Sequence, residues 1–457
     1  MRERLQQLGQ KSFVRSVAVL VGGTAFGQAV ALLALPLLTR LYSPQDFSLL
    51  AVYVGLLGII SAAACLRFDI AIPLPEKDED AANVLVLALM LASTVSALLA
   101  IPIVLIPERV AAWIGQPKIA GYLWLLPIGV LLAGSYNAMQ FWATRKKDFP
   151  AIARTRVFQS VGGAATQVGM GMMGYTPLGL MVGQMLNSGA GGFGLALRIS
   201  KTARAAMASV SFHRMKRLFR EYDRFPKYSS LEAFANNAAI QLPVILIASL
   251  AVGPEAGFLA LAMRVMQAPM GLVGGAIGQV YLSRAAEEHR VGALGIFTAG
   301  ILGGLLRTGV GPLLCVGIVA PEAFALVFGD DWTRAGVLVA WMTPWFVFQF
   351  LASPVSMALH ITRHQRLALL LQIFGLALRV AFVVAAVEVS EGLVSESYAI
   401  SGAVFYLVYL LLVLKVVSCA PQDMLGQLRR SAIYILPWCI GGFLFKSILW
   451  VIKHGFH

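Results

Sequence analysis

Apolar residues run along this chain in stretches of about twenty, each closed by a short polar or charged segment. A helix rises ~1.5 Å per residue, so a stretch of that length crosses a ~30 Å hydrocarbon core. The pattern predicts twelve membrane-spanning helices, over 16–38, 47–72, 82–107, 121–143, 156–175, 177–197, 229–252, 257–280, 296–320, 335–359, 367–388 and 397–418. A thirteenth candidate covers 433–452. The GYTP break at 174–177 is short, which makes spans five and six a tight hairpin.

The polar segments orient these spans. Lys and Arg concentrate in 1–15, 73–81, 144–156, 198–228, 281–295, 360–366 and 415–431. The alternate segments hold only Arg40, Arg109, Lys118, Arg334 and Lys453. Cytoplasmic loops carry the excess of Lys and Arg, so the N-terminus is expected on the cytoplasmic side. The acidic run PEKDED at 75–80 falls on that side too, but acidic residues contribute little to orientation.

The most basic loop, 198–228, has amphipathic stretches and reads as a linker held at an anionic membrane surface. It divides the chain into an N-terminal six-helix lobe (1–197), the linker itself (198–228), a C-terminal six-helix lobe (229–418) and an extension (419–457) that carries the extra candidate span. YSPQDFSLLA at 42–51 and VGPEAGFLAL at 252–261 occupy matching places in the two halves. Pro is sterically favoured in the first turn of a helix, so chance agreement is one account. Duplication of a six-span unit is the other, and it relates the halves by an axis along the membrane normal.

Composition supports the membrane reading. Of 457 residues, 58% are hydrophobic and 13% charged, against about 25% charged in ordinary globular chains. The net charge of +14 would suggest nucleic acid in a soluble protein; here the loop asymmetry accounts for it, and no nucleic-acid partner is expected. Cys65, Cys315, Cys419 and Cys439 show neither a disulfide framework nor metal-ligand spacing. The first apolar run is too long for a signal-peptide core and lacks a cleavage site, so it is expected to stay as a span. HExxH, GxSxG and Walker A motifs are absent from the sequence, and the outer segments leave no room for a catalytic domain. No catalytic residue, metal or cofactor is expected.

Candidate chemistry lies with the charges inside spans: Arg67, Arg264, Arg307, Arg379 and Lys446. By helix rise, Arg307 and Arg379 sit roughly 16–18 Å deep, near the midplane. Arg264 lies about two turns from the outer end of its span and Arg67 near the cytoplasmic face. An Arg at mid-span costs at least ~2.5–3.5 kcal/mol, so these groups need partners or water. The in-span carboxylates counted against them are Asp69, Glu232 and Glu388, too few to neutralise all. A water-filled cationic cavity between the lobes follows, lined by Arg67, Arg264, Arg307 and Arg379, with an anion as its ligand. Pairing with helix-end carbonyls or Glu388 is the structural alternative for Arg307 and Arg379. Snorkelling to headgroups is the alternative for Arg67.

On a continuous helix Arg67 and Asp69 would point to different sides and not pair. Asp69 is then a candidate for coupling to H⁺ or Na⁺, or an acid at the inner interface. Gln28, Asn137, Gln140, Asn237, Gln241 and Gln349 either line the cavity or bond helices together.

LPLLTRLYSPQDFSLLAVYVGLLGIISAAACLRFDIAIPLP resembles the opening of the Wzx-type polysaccharide flippases. QFWATRKKDFPAIARTRVFQSV (140–161) resembles that family's junction of spans four and five, and FGDDWTRAG (328–336) its loop before span ten. The superfamily also holds multidrug-and-toxin exporters and lipid II flippases. The resemblance implies an all-α polytopic protein of the bacterial inner membrane, with two six-helix lobes around a central cationic cavity. It implies movement of an undecaprenyl-diphosphate-linked O-antigen or exopolysaccharide unit from the cytoplasmic to the periplasmic leaflet, by alternating access and ion antiport. Membrane lipids and other polysaccharide assembly proteins are the implied partners. The thirteenth span departs from the twelve-span pattern, and Lys446 within it falls outside the expected site. A cation-drug antiporter of the same superfamily is the first alternative; it normally relies on buried acids, which are few here. A membrane polysaccharide polymerase or ligase is the second, and it lacks the large outer loop it needs.

Overall fold

The computed structural model describes residues 2–251, 253–270 and 275–454. Among the described residues the protein is all helix, with no strand. Nine helical stretches among them are long and apolar enough to cross a membrane. This is a polytopic membrane architecture, as the apolar runs require: a lipid-exposed chain must satisfy its backbone polar groups internally.

The chain divides into two compact units. Unit 1 comprises Met1–Tyr42 and Leu49–Ile245; unit 2 comprises Ser43–Ser48 and Leu246–His457. In chain order the helices up to the end of unit 1 are α1 Arg2–Leu41, α2 Pro44–Ser61, α3 Asp78–Leu105, α4 Pro107–Trp113, α5 Leu125–Arg145, α6 Phe149–Met172, α7 Leu178–Gly189, α8 Gly191–Thr202, α9 Arg204–Ala208, α10 Phe212–Glu221 and α11 Ser230–Leu250. Those of unit 2 are α12 Glu255–Pro269, α13 Gly275–Arg290, α14 Leu294–Leu305, α15 Gly311–Phe328, α16 Thr333–Val355, α17 Ala358–Ile361, α18 Gln365–Val389, α19 Val394–Val416 and α20 Pro421–His454.

Helices occur at every expected span, yet the nine long apolar stretches do not fix their number at twelve. The expected spans 121–143 and 156–175 correspond to α5 and α6, which carry more polar side chains. The expected span 177–197 is two short helices, α7 and α8, meeting at Ala190. The expected span 257–280 corresponds to α12 and α13; residues 271–274 between them lie outside the described residues. The thirteenth candidate, 433–452, falls within α20, a 34-residue helix.

One expectation is overturned. The second span was expected over 47–72, but α2 ends at Ser61. Residues 62–77 leave the helical path although most of them are apolar and several are fully buried.

Within unit 1, α1 packs along α6, α6 along α7, and α3 along α5. Within unit 2, α16 lies between α15 and α19, and α20 runs beside α15. The aromatic ring of Trp332, fully buried, receives the edge of Phe47 at 4.8 Å and of Phe258 at 6.0 Å. The two repeat-like loops meet here: the Gly257 amide donates to Ser48 Oγ at 3.1 Å. A Cβ at Gly257 would run into the Pro44 carbonyl oxygen, so the close approach depends on glycine.

Candidate functional site

In unit 1 the expected pair lies in the non-helical stretch after Ser61. The i−4 bonds of α2 give way to i−3 bonds: Leu66 N to Ala63 O (2.8 Å), Phe68 N to Cys65 O (3.0 Å) and Ile72 N to Asp69 O (3.2 Å). Leu66 and Arg67 both take left-handed backbone conformations, with φ of 46° and 62°. Such consecutive non-glycine residues are strained and persist only where the surroundings hold them.

The consequence corrects the sequence expectation for this pair. Arg67 and Asp69 do not project to opposite sides of a helix; Arg67 Nη1 lies 4.0 Å from Asp69 Oδ2. Asp69 is only 5% exposed. Its Oδ1 and the Arg67 Nε are both buried without a hydrogen-bond partner. Beside them the Cys65 thiol donates to the Gly134 carbonyl of α5 at 3.4 Å.

The basic loop holds this stretch in place. Phe68 is fully buried and stacks on Phe219 of α10, centroids 5.3 Å apart. Met215 and Leu218 of α10 are buried on the same side. Asn83 of α3 donates to Ser209 O (3.5 Å) and accepts from the Ser211 amide (2.9 Å), while Arg217 donates to Asp80 (2.7 Å). Met215 and Leu218 of α10 are therefore spent on the protein, while His213, Arg214, Lys216 and Arg220 are exposed.

Arg145, at the end of α5, clasps the chain leaving the stretch. It donates to the carbonyls of Pro73 (3.1 Å), Pro75 (2.5 Å) and Glu76 (3.0 Å) and to Asp78 (3.1 Å). Lys146 also pairs with Asp78. The acidic run 75–80 thus lies against cations from two basic segments, 144–156 and 198–228.

Other expected residues of unit 1 have separate neighbours. Gln140 accepts from Arg156 Nη2 at 3.1 Å, and Arg156 also lies 5.4 Å over the Tyr136 ring. Asn137 is half-buried, and the Oε1 of Gln28 is buried without a partner. Asn237 bonds back to Ala233 of its own helix (2.9 Å), and Gln241 packs on α2 at Gly58.

In unit 2, Arg307 stands on a π-helical turn, Leu306–Val310, that joins α14 to α15. Its guanidinium is exposed and donates to Gln427 Oε1 of α20 at 2.8 Å. Single π turns within helices recur at functional positions. Arg379 is differently placed: it is 8% exposed, 4.8 Å over Phe405 and 5.8 Å over Trp345. Arg264 on α12 and Gln349 on α16 are half-buried.

The sequence reasoning missed three acids, Glu255 and Glu396 buried and Glu322 half-buried, that pair with Arg334 and Lys446. Arg334 donates to both oxygens of Glu255 (3.0 and 3.3 Å) and to the Gly392 carbonyl (3.2 Å), and pairs with Glu396 at 2.5 Å. It thereby ties together the starts of α12, α16 and α19. Lys446 lies 3.5 Å from Glu322, joining α20 to α15. Glu255 and Glu396 sit at span edges, where a count of mid-span charges does not look. Arg156 was hidden in the same way, assigned to a loop because it begins an expected span.

The fold is that of a polytopic membrane protein, all helix among the described residues. The family described as polysaccharide biosynthesis protein matches residues 37–335, and the chain belongs to it. Among solved structures, the lipid II flippase MurJ in an inward closed conformation is similar over 96% of this chain and 99% of that one, with TM-score 0.72 and 13% identity. An outward-facing multidrug-resistance transporter of the MATE family, MOP superfamily, matches with TM-score 0.54 and 15% identity, over 88% of this chain and 95% of that one. A mutant of the Vibrio cholerae MATE transporter VcmN gives TM-score 0.54 at 12% identity, over 90% of this chain and 99% of that one. At these identities the likeness is one of fold. No curated protein matches the sequence.

Proposed function

We propose that the protein is a flippase that carries a diphosphate-linked, lipid-anchored oligosaccharide from the cytoplasmic to the opposite leaflet of the bacterial inner membrane. The N-terminus is cytoplasmic in this reading, and the cycle is one of alternating access coupled to H⁺ or Na⁺. The observation that carries it is Arg307: an exposed guanidinium within an apolar helical stretch, Leu294–Phe328, set on a π turn. A cation exposed at that depth is costly unless it meets water or an anion, and guanidinium matches phosphate in a two-pronged manner. Family membership and the MurJ-like fold support the same reading.

Arg67 in unit 1 is the proposed first contact for the diphosphate, with Gln140 and Arg156 as further contacts in that unit, and Arg264 and Arg307 are the proposed contacts in unit 2. Asp69, buried with one oxygen unpartnered, is the proposed coupling acid. The test is export in cells that lack the gene. The glycan intermediate should accumulate on the inner leaflet, and wild-type protein should clear it. Arg307→Ala and Arg67→Ala proteins that reach the membrane should clear it several-fold more slowly. Full clearance by both would sink the cationic route.

The MATE-like fold favours a second reading, export of cationic drugs. Such a site needs an available acid; Glu255, Glu322 and Glu396 are already paired with Arg334 and Lys446, which leaves Asp69 as its candidate. A drug-sensitivity panel that shifts on deletion while glycan export continues would favour it.

A further inference from the structure

Arg379 is the least expected charge in unit 2. It projects from α18 into an aromatic enclosure built from α16 and α19. The enclosure is shaped by glycines: the Trp345 indole lies where a side chain on Gly402 would be, and the Phe405 ring where one on Gly375 would be. Gly375 precedes Arg379 by one turn on α18, so ring and guanidinium share a face. Trp345 packs edge-on against Tyr398 at 5.1 Å, and an Arg379 side-chain nitrogen is within reach of the Tyr406 hydroxyl.

Two donors in this enclosure have no acceptor. Arg379 Nε and Trp345 Nε1 are both buried and unpartnered, in side chains 8% and 4% exposed. Among the described residues no carboxylate pairs with Arg379; Glu396 on α19 is held by Arg334. Aromatic faces attract a guanidinium but carry no net charge. A buried cation therefore lacks its counter-charge, while two N–H groups beside it lack acceptors. A water molecule would fill the hydrogen bonds and leave the charge.

We propose that a small inorganic anion, chloride in the cell, is bound in unit 2 by Arg379 and the Trp345 indole N–H. A monatomic anion accepts from both donors and neutralises the guanidinium within a closed aromatic wall. A glycan diphosphate does not fit a side chain so little exposed. The proposal is independent of what the protein transports, because its readout is halide binding and not export.

The test uses bromide in place of chloride. Crystals of the full chain grown in bromide should show an anomalous peak within hydrogen-bond distance of Arg379 Nε and Trp345 Nε1. The purified protein should melt several degrees higher in chloride or bromide than in gluconate at equal ionic strength. Trp345→Phe keeps the ring and removes the donor, and Arg379→Lys keeps the charge and removes Nε; each should abolish that increment. Absence of the bromide peak, or a halide increment that survives in both variants, overturns the proposal. Displacement of the bromide peak by pyrophosphate also overturns it, by assigning the site to a diphosphate.

Discussion

Arg67 faces Asp69 at 4.0 Å because the chain between them is not helical. On a helix the two would diverge; the left-handed turn at Leu66 and Arg67 brings them round to one side. Asp69 is the more buried partner, so the pair is asymmetric. Removing Arg67 strands a buried carboxylate, whereas Asp69→Asn leaves a half-exposed guanidinium that water can reach. We expect Arg67→Ala to cost about 1–3 kcal/mol and Asp69→Asn less. The double variant should recover part of the loss, giving a coupling that a double-mutant cycle on thermal unfolding reads directly. Additive effects would mean that the pair is only a near neighbour. Glycan export separates the roles: Arg67→Ala is expected to slow it more than Asp69→Asn does.

The stack of Phe68 on Phe219 fastens the basic loop to the same turn. Stacked aromatic pairs contribute about 0.5–1.5 kcal/mol beyond their burial. Phe219→Ala should therefore loosen α10 without unfolding unit 1. Amide hydrogen exchange would rise in 62–77 and 212–221 together, with 125–145 unchanged. Protection that stays at the wild-type level in 62–77 would show that the other contacts, Arg145 among them, hold the turn without the stack.

How much of this could be read in the chain depends on the range of the interaction. Helices and loop asymmetry were legible because hydropathy and Lys/Arg placement are local signals. The end of α2 at Ser61 was not. The residues that follow, AAACLRFDIAI, stay apolar because they are buried, and no glycine marks the left-handed positions. The acids were hidden for another reason. Arg334 finds Glu255 79 positions earlier and Glu396 on a third helix, and a charge count cannot see either. Arg379 stood out in the sequence as a charge inside a span, but Trp345 and Phe405 look like any other apolar positions until the fold sets them around it. Arg145, Trp332 and Arg334 lie within the segments 140–161 and 328–336 that resemble the family, and each makes contacts at a helix end.

The two repeat-like loops make a sharper test of packing. Gly257 touches the backbone at Pro44, and backbone cannot rotate away as a side-chain end can. Gly257→Ala should cost about 1–3 kcal/mol through overpacking, read as a lower melting temperature. Ser48→Ala removes only the acceptor for the Gly257 amide and should cost less. A Gly257→Ala protein as stable as wild type would mean that the loops separate readily.

Arg334 offers the largest single effect we expect on stability. One guanidinium pairs with two buried carboxylates, on α12 and α19, and donates to the Gly392 carbonyl. Arg334→Met keeps the length of the stem and removes the charge, leaving Glu255 and Glu396 buried with nothing to offset them. Breaking a buried pair by deleting one partner costs about 3–5 kcal/mol, and the partial exposure of Arg334 places this case near the lower end. Arg334→Lys retains the charge but cannot form the two-pronged contact with Glu255, so its loss should be intermediate. The control is the compensated variant: Glu255→Gln and Glu396→Gln added to Arg334→Met should restore much of the melting temperature, since the stranded charges are gone. If Arg334→Met alone melts with the wild type, the cluster does not hold the three helix starts together. If the triple variant melts no higher than Arg334→Met, the loss comes from the missing side chain and not from the unpaired acids.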